Sequence, residues 1–237
     1  MKNINHSSAA FCMQPQLFPS THGQRQKPDV LRRIKDPGSA ITHGIGFVLS
    51  FIAAIPLISL AIHSGDIRKV IAMSVFSLSM MALYAASTCY HAFHGSEKAQ
   101  TLRKKIDHMM IFVLIAGSYT PAVIAIMDGW MKIGLLVFQW GMVIIGIFYK
   151  IFAKRKNSKL SLAIYLCMGW SVIILLPQLI HRASLPFLLY VAAGGIAYSV
   201  GAFIYAKKPF PYAHVVWHLF VAVAGILQGI AFLYYLY

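Results

Sequence analysis

The chain has 237 residues, 59% of them hydrophobic and 11% charged, with a formal net charge of +15 and a mean hydropathy of +0.68. A soluble domain of this length has too little interior to bury so many apolar side chains, which excludes an ordinary globular protein. Nor does the charge point to a nucleic-acid partner: the basic residues lie in short clusters between apolar runs and form no stripe interleaved with aromatics.

Residues 1–39 are polar and irregular, with Pro15, Pro19, Pro28 and Pro37. Lys2, Arg25, Lys27, Arg32, Arg33 and Lys35 make this stretch basic. It has no apolar leader core, so it reads as a cytoplasmic tail, expected to be disordered.

Seven apolar runs follow, near 40–62, 70–93, 107–127, 131–151, 160–180, 184–206 and 211–236. Each is about 20 residues, enough to cross a hydrocarbon core of roughly 30 Å. Lipid offers backbone polar groups no partner, so runs of this length must be helices. The short interruptions predict antiparallel neighbours. The expected fold is an all-α membrane protein, a seven-transmembrane helix bundle over residues 40–237. With the amino terminus inside, the inside segments hold 17 Lys and Arg and the outside segments four. That bias predicts a cytoplasmic amino terminus and an outside carboxyl terminus. The orientation is opposite to that of a G-protein-coupled receptor, and the last run has no lysine for a retinal Schiff base. Ionisable residues sit near the ends of the runs, which argues against a pump or secondary transporter. Cys12, Cys89 and Cys167 are scattered, so no disulfide framework is expected and they read as small packing residues.

The second run ends "SLSMMALYAASTCYHAFHG", where Ser87 and His91 are four apart and share a helical face. The third opens "KKIDHMMIFVLIAGSYTP", with Asp107 as its first acid. The seventh opens "FPYAHVVWHLF", placing His214 and His218 on one face. The topology puts all five residues at one depth on the cytoplasmic side. A single histidine at a helix end is ordinarily interfacial or a satisfied core group. Three from two helices, with an acid beside them, can hold Zn²⁺ and leave a fourth position for water.

The remaining histidines divide by depth. His43 matches the site's depth and is expected to support it. His94 and His108 lie at the same rim and are read as interfacial or supporting, with His94 an alternative ligand. His108 points about 100° away from Asp107 on an ideal helix. His63 and His181 fall on the outer side. Tyr119, Thr120 and Pro121 form an expected packing and kink element.

These residues resemble the hemolysin III family, within the progestin and adipoQ receptor superfamily. The matching stretches are "SAITHGIG", "LYAASTCYHAF", "KKIDHMMIFVLIAGSYTP", "YLCMGW" and "PYAHVVWHLF". Alkaline ceramidases look similar in the same three places. The resemblance implies a seven-helix bundle with zinc held by His91, His214 and His218. It further implies that Asp107 holds the water at the metal and that Ser87 supports the site by hydrogen bonding. Bacterial members are linked to membrane homeostasis. Many members carry another histidine where this chain has Gln228, and its amino-terminal tail is longer than usual for bacterial members.

The leading expectation is a zinc-dependent hydrolase of a lipid amide or ester, with Asp107 and Ser87 as catalytic residues. A non-catalytic sensor of lipid or membrane state, with structural zinc, is the alternative. A pore-forming cytolysin ranks lower, because a pore needs a polar lining along its length. Membrane lipid is the expected substrate or ligand, and the expected location is a bacterial inner membrane.

Overall fold

Five of the eight helices begin at a short polar side chain that caps them. In the computed structural model, which describes residues 34–153 and 157–236, eight helices account for the regular structure apart from one 3₁₀ segment. They are α1 (Pro37–His63), α2 (Ile67–Ala92), α3 (Glu97–Ile126), α4 (Gly129–Phe152), α5 (Ser158–Trp170), α6 (Leu176–Arg182), α7 (Leu185–Lys207) and α8 (Ala213–Tyr235). Asp36, Asp66, Ser96, Asn157 and Ser184 each accept a hydrogen bond from a backbone N–H of the first turn, satisfying donors that have no partner within the helix. α7 stops at Lys208, which adopts the left-handed conformation with φ 48° and closes the last turn.

Six helices, α1 to α4, α7 and α8, are long and apolar enough to cross a membrane. The expected fifth run is a broken span. α5 gives way to a 3₁₀ segment, Ser171–Leu175, before α6, and the two parts meet at a bend of 49°. Pro177 explains the break, since it has no N–H to offer the carbonyl of Ile173 one turn earlier. The bent pair still traverses the bundle: Arg182 at its end meets Asp128 and the Ile126 carbonyl, at the turn between α3 and α4. Tyr119 of α3 braces the break. Its hydroxyl donates to the Gly169 carbonyl at 2.5 Å and accepts from the Val172 N–H at 3.0 Å.

The largest boundary difference from the sequence expectation is at α3, which starts at Glu97 rather than 107, while α1 and α2 each start three residues early, at Pro37 and Ile67. The stretch "EKAQTLRKK" is too polar to lie in lipid but is made of good helix formers, so the helix extends past the apolar run. α3 also continues as α-helix through the buried Pro121. Residues 1–33 of the expected tail lie outside the described residues.

Neighbours in sequence pack side by side, α1 on α2, α2 on α3 and α7 on α8, and α1 also meets α8. The core is aromatic and Met-rich: Tyr84, Phe76, Phe112, Phe187, Phe232, Met73, Met127 and Met168 are all fully buried. Close approach depends on small residues, as is usual where lipid removes a hydrophobic drive between helices. At Gly117 of α3, a Cβ would stand 2.2 Å from Ser79 Oγ of α2. The contact between α1 and α8 decides the site, because it brings the start of the first helix against the start of the last.

Candidate metal centre

Four helix ends converge: the starts of α1, α3 and α8 and the end of α2. The i, i+4 spacing of His214 and His218 turns both rings to one side of α8, with centroids 4.7 Å apart. His91, in the last turn of α2, faces both, at 4.9 Å from each. One ring nitrogen from each of the three lies within 4.8 Å of the others, and no further acid, histidine or cysteine among the described residues joins that group.

Asp107, in α3, is 8% exposed, with Ser87, Lys104 and Lys35 near its carboxyl. Ser87 is wholly buried, and its hydroxyl lies near that carboxyl without the geometry of a hydrogen bond. The bundle therefore brings Ser87 and His91 of α2 to the same end as Asp107, His214 and His218.

His43 is 3% exposed and stacks flat on His218, with ring centroids 3.8 Å apart and planes 15° apart. Neither of its ring nitrogens has a hydrogen-bond partner. His94 lies beyond the end of α2 in an exposed turn, and His108 is half-buried on α3. Neither joins the cluster. His63 and His181 are exposed at the opposite end. Gln228 is deep in α8, where its Oε1 has no partner. Cys89 and Cys167 are free thiols, and both are exposed rather than packed inside.

Sequence reasoning passed over Asp36, which it placed in the tail. The residue caps α1, accepting from the Ser39 N–H at 3.4 Å, and its Oδ2 stands 3.2 Å from His91 Nδ1. Burial pushes its carboxyl up, but Ser39, His91 and His214 together hold it below the ordinary carboxylate value. The local signal was present, an Asp followed by Pro at a helix start. The proximity to His91 is tertiary, and no local pattern reports it.

These side chains fit a divalent metal. Buried imidazoles without partners are costly unless something accepts or donates to them. His91 has neither ring nitrogen aligned for a hydrogen bond. A set of three neutral nitrogen donors suits zinc and its neighbours in the first transition row.

Comparisons with known proteins agree with this architecture. A family model described as "Haemolysin-III related" matches residues 31–228. "Hemolysin-3" of Bacillus cereus is 38% identical over 197 residues, covering 83% of this chain and 90% of the relative. "Hemolysin-3 homolog" of Bacillus subtilis (strain 168) is 37% identical over 197 residues, covering 83% and 92%. "Monocyte to macrophage differentiation factor" of Homo sapiens is 30% identical over 181 residues, covering 73% of this chain and 74% of that protein. That relationship fits the progestin and adipoQ receptor superfamily.

Proposed function

We propose, from the premise that this chain belongs to the haemolysin III-related family of multi-pass membrane proteins, that it is a metal-dependent hydrolase of a lipid amide or ester. His91, His214 and His218 would hold the metal, and zinc is the ion their chemistry suits best. The observation that carries this reading is the closure of three imidazole nitrogens to within 4.8 Å beside a buried carboxyl and a buried unpartnered hydroxyl.

Zinc, when bound, supplies a Lewis acid that polarises a carbonyl and brings the pKa of water towards 7. The remaining roles belong to the chain. Asp107 accepts a proton from water at its carboxylate and passes it to the leaving amine or alcohol. Ser87, one turn before His91 and near Asp107, would turn its unpaired hydroxyl to the carboxyl and keep it oriented. The surrounding apolar core excludes bulk water. The scissile bond of a lipid would sit among the polar residues, with its acyl chain between helices.

The excess of Lys and Arg in the segments at this end supports a site at the cytoplasmic face of the cell membrane. A bacterial inner membrane fits the identity to the two Bacillus relatives.

The test is metal content of the purified protein, wild type beside His214→Ala/His218→Ala. About one zinc per chain, lost in the double variant, is the expected result, on the one-ion site that three histidines make. No metal in the wild type sinks the reading. The name that the two Bacillus relatives carry favours a second reading, membrane lysis. Leakage of a dye from liposomes carrying the wild-type protein would favour it over hydrolysis.

A further inference from the structure

The start of α1 touches the histidine cluster at two points, and each contact falls on an Nδ1 atom. Asp36 Oδ2 stands 3.2 Å from His91 Nδ1. The Ser39 carbonyl oxygen stands 3.4 Å from His218 Nδ1. Both partners accept hydrogen bonds, so both fit a ring that carries its proton on Nδ1. A proton on Nδ1 leaves Nε2 with a free lone pair, the form a neutral imidazole needs in order to bind a metal.

We propose that the segment Asp36–Ser39 is the positioning element of the metal centre, with Asp36 orienting His91 and the Ser39 carbonyl orienting His218. This rests on the reading that the three histidines hold a metal. Asp36 stays outside the ligand group itself, which closes on the histidines alone among the described residues.

Asp36 grips His91 from two sides. Its backbone N–H donates to the His91 carbonyl at 2.9 Å, while its carboxylate faces the ring of the same residue. The Lys35 N–H donates to the Ala92 carbonyl at 3.4 Å. These are carbonyls of α2's last turn, which have no acceptor role within the helix. The Lys35 ammonium completes the attachment, 3.7 Å above the Tyr90 ring and 3.0 Å from Gln100 Oε1. At His91 the carboxylate is near but off the line of a hydrogen bond. A turn of the imidazole about χ2, a broad torsion, aligns Nδ1–H with Oδ2. Gly38 lets the segment press on α8, since a Cβ there would stand 2.8 Å from Val215 Cγ2. Carboxylates and backbone carbonyls in this relation to a ligand histidine fix its tautomer and raise its basicity.

The experiment is zinc affinity of the full-length protein in detergent, by competition with a chromophoric chelator, for wild type, Asp36→Asn and Asp36→Ser. Thermal melts of the metal-free proteins run alongside. Asn and Ser cap a helix about as well as Asp, so a capping role alone predicts no change in any of the three. Positioning predicts affinity about tenfold weaker or more in Asp36→Ser, less in Asp36→Asn, whose amide oxygen still accepts, with metal-free melts unchanged. Wild-type affinity in both variants overturns the inference. So does a parallel fall in melting temperature and affinity, which would show that Asp36 acts by holding the fold together and not by orienting His91. Absence of zinc in the wild type instead overturns the proposed function on which the inference rests.

Discussion

The two ends of this bundle handle polar groups in opposite ways. At one, His43 and His91 are buried with ring nitrogens that lack hydrogen-bond partners, beside a buried Ser87 hydroxyl in the same state. At the other, Asp66 pairs with Arg68 at 2.9 Å, Asp128 pairs with Arg182 and Lys132, and the Asp128 side chain is 73% exposed. The second pattern is what turns between helices need: exposed charges that mutually satisfy one another and cost little. The first is expensive in a folded protein unless a ligand compensates it. Burial without partners, rather than charge itself, sets the end with the histidine cluster apart.

The contrast is open to direct attack. The largest effect is expected at Asp107. Asp107→Asn should lower lipid-hydrolysis turnover by about 10²-fold or more while leaving zinc content intact, as loss of a general acid–base group does. Turnover equal to wild type would remove Asp107 from the chemistry. Next comes His43. His43→Ala removes the ring stacked on His218 and should weaken zinc binding about tenfold, whereas His43→Phe keeps the stack and should stay near wild type. Equal loss in both would show that a His43 nitrogen, not its face, is what the site uses.

Tyr119 lies between the ends and tests stability alone. Tyr119→Phe deletes both hydrogen bonds to the broken span and should cost about 1–2 kcal/mol in a thermal or denaturant melt, with zinc affinity unchanged. The smallest effect belongs to Asp128→Asn. Hydrogen bonding to Arg182 holds the Asp128 carboxyl below its ordinary value of 3.8. Its contribution is present above that value and disappears as pH falls through the lower folded one. The variant should melt only slightly below wild type at neutral pH, since the pair is exposed, and the two should converge in the acid limb as the wild-type carboxyl is protonated. A large neutral-pH loss would mean that the far end is not the inexpensive one.

How much of this could be read beforehand follows from the range of each interaction. The i, i+4 pair in "HVVWH" and the i, i+4 pair of Ser87 and His91 are local, and counting helices put them at one depth with Asp107. Pro177 lay in plain sight within a run read as one continuous helix, because hydropathy averages over a single missing donor. The beginning of α3 was placed ten residues late for a related reason: hydropathy marks where lipid begins, not where a helix does. Asp36 and the His43–His218 stack were beyond reach, since both depend on how α1 lies against α2 and α8. Depth follows from chain order, but lateral contact does not.

The hydrogen bond between His218 and Ser39 joins residues 179 apart in the chain. A ribosome delivers the amino-terminal partner first and the other 179 residues later. Until then the cluster is incomplete, and α1 waits in the bilayer for α8 to arrive. A chain lacking α8 has one of the three imidazoles, so on the proposed reading it would hold metal poorly. Possession of the ion would then certify that α8 had been inserted and brought against α1.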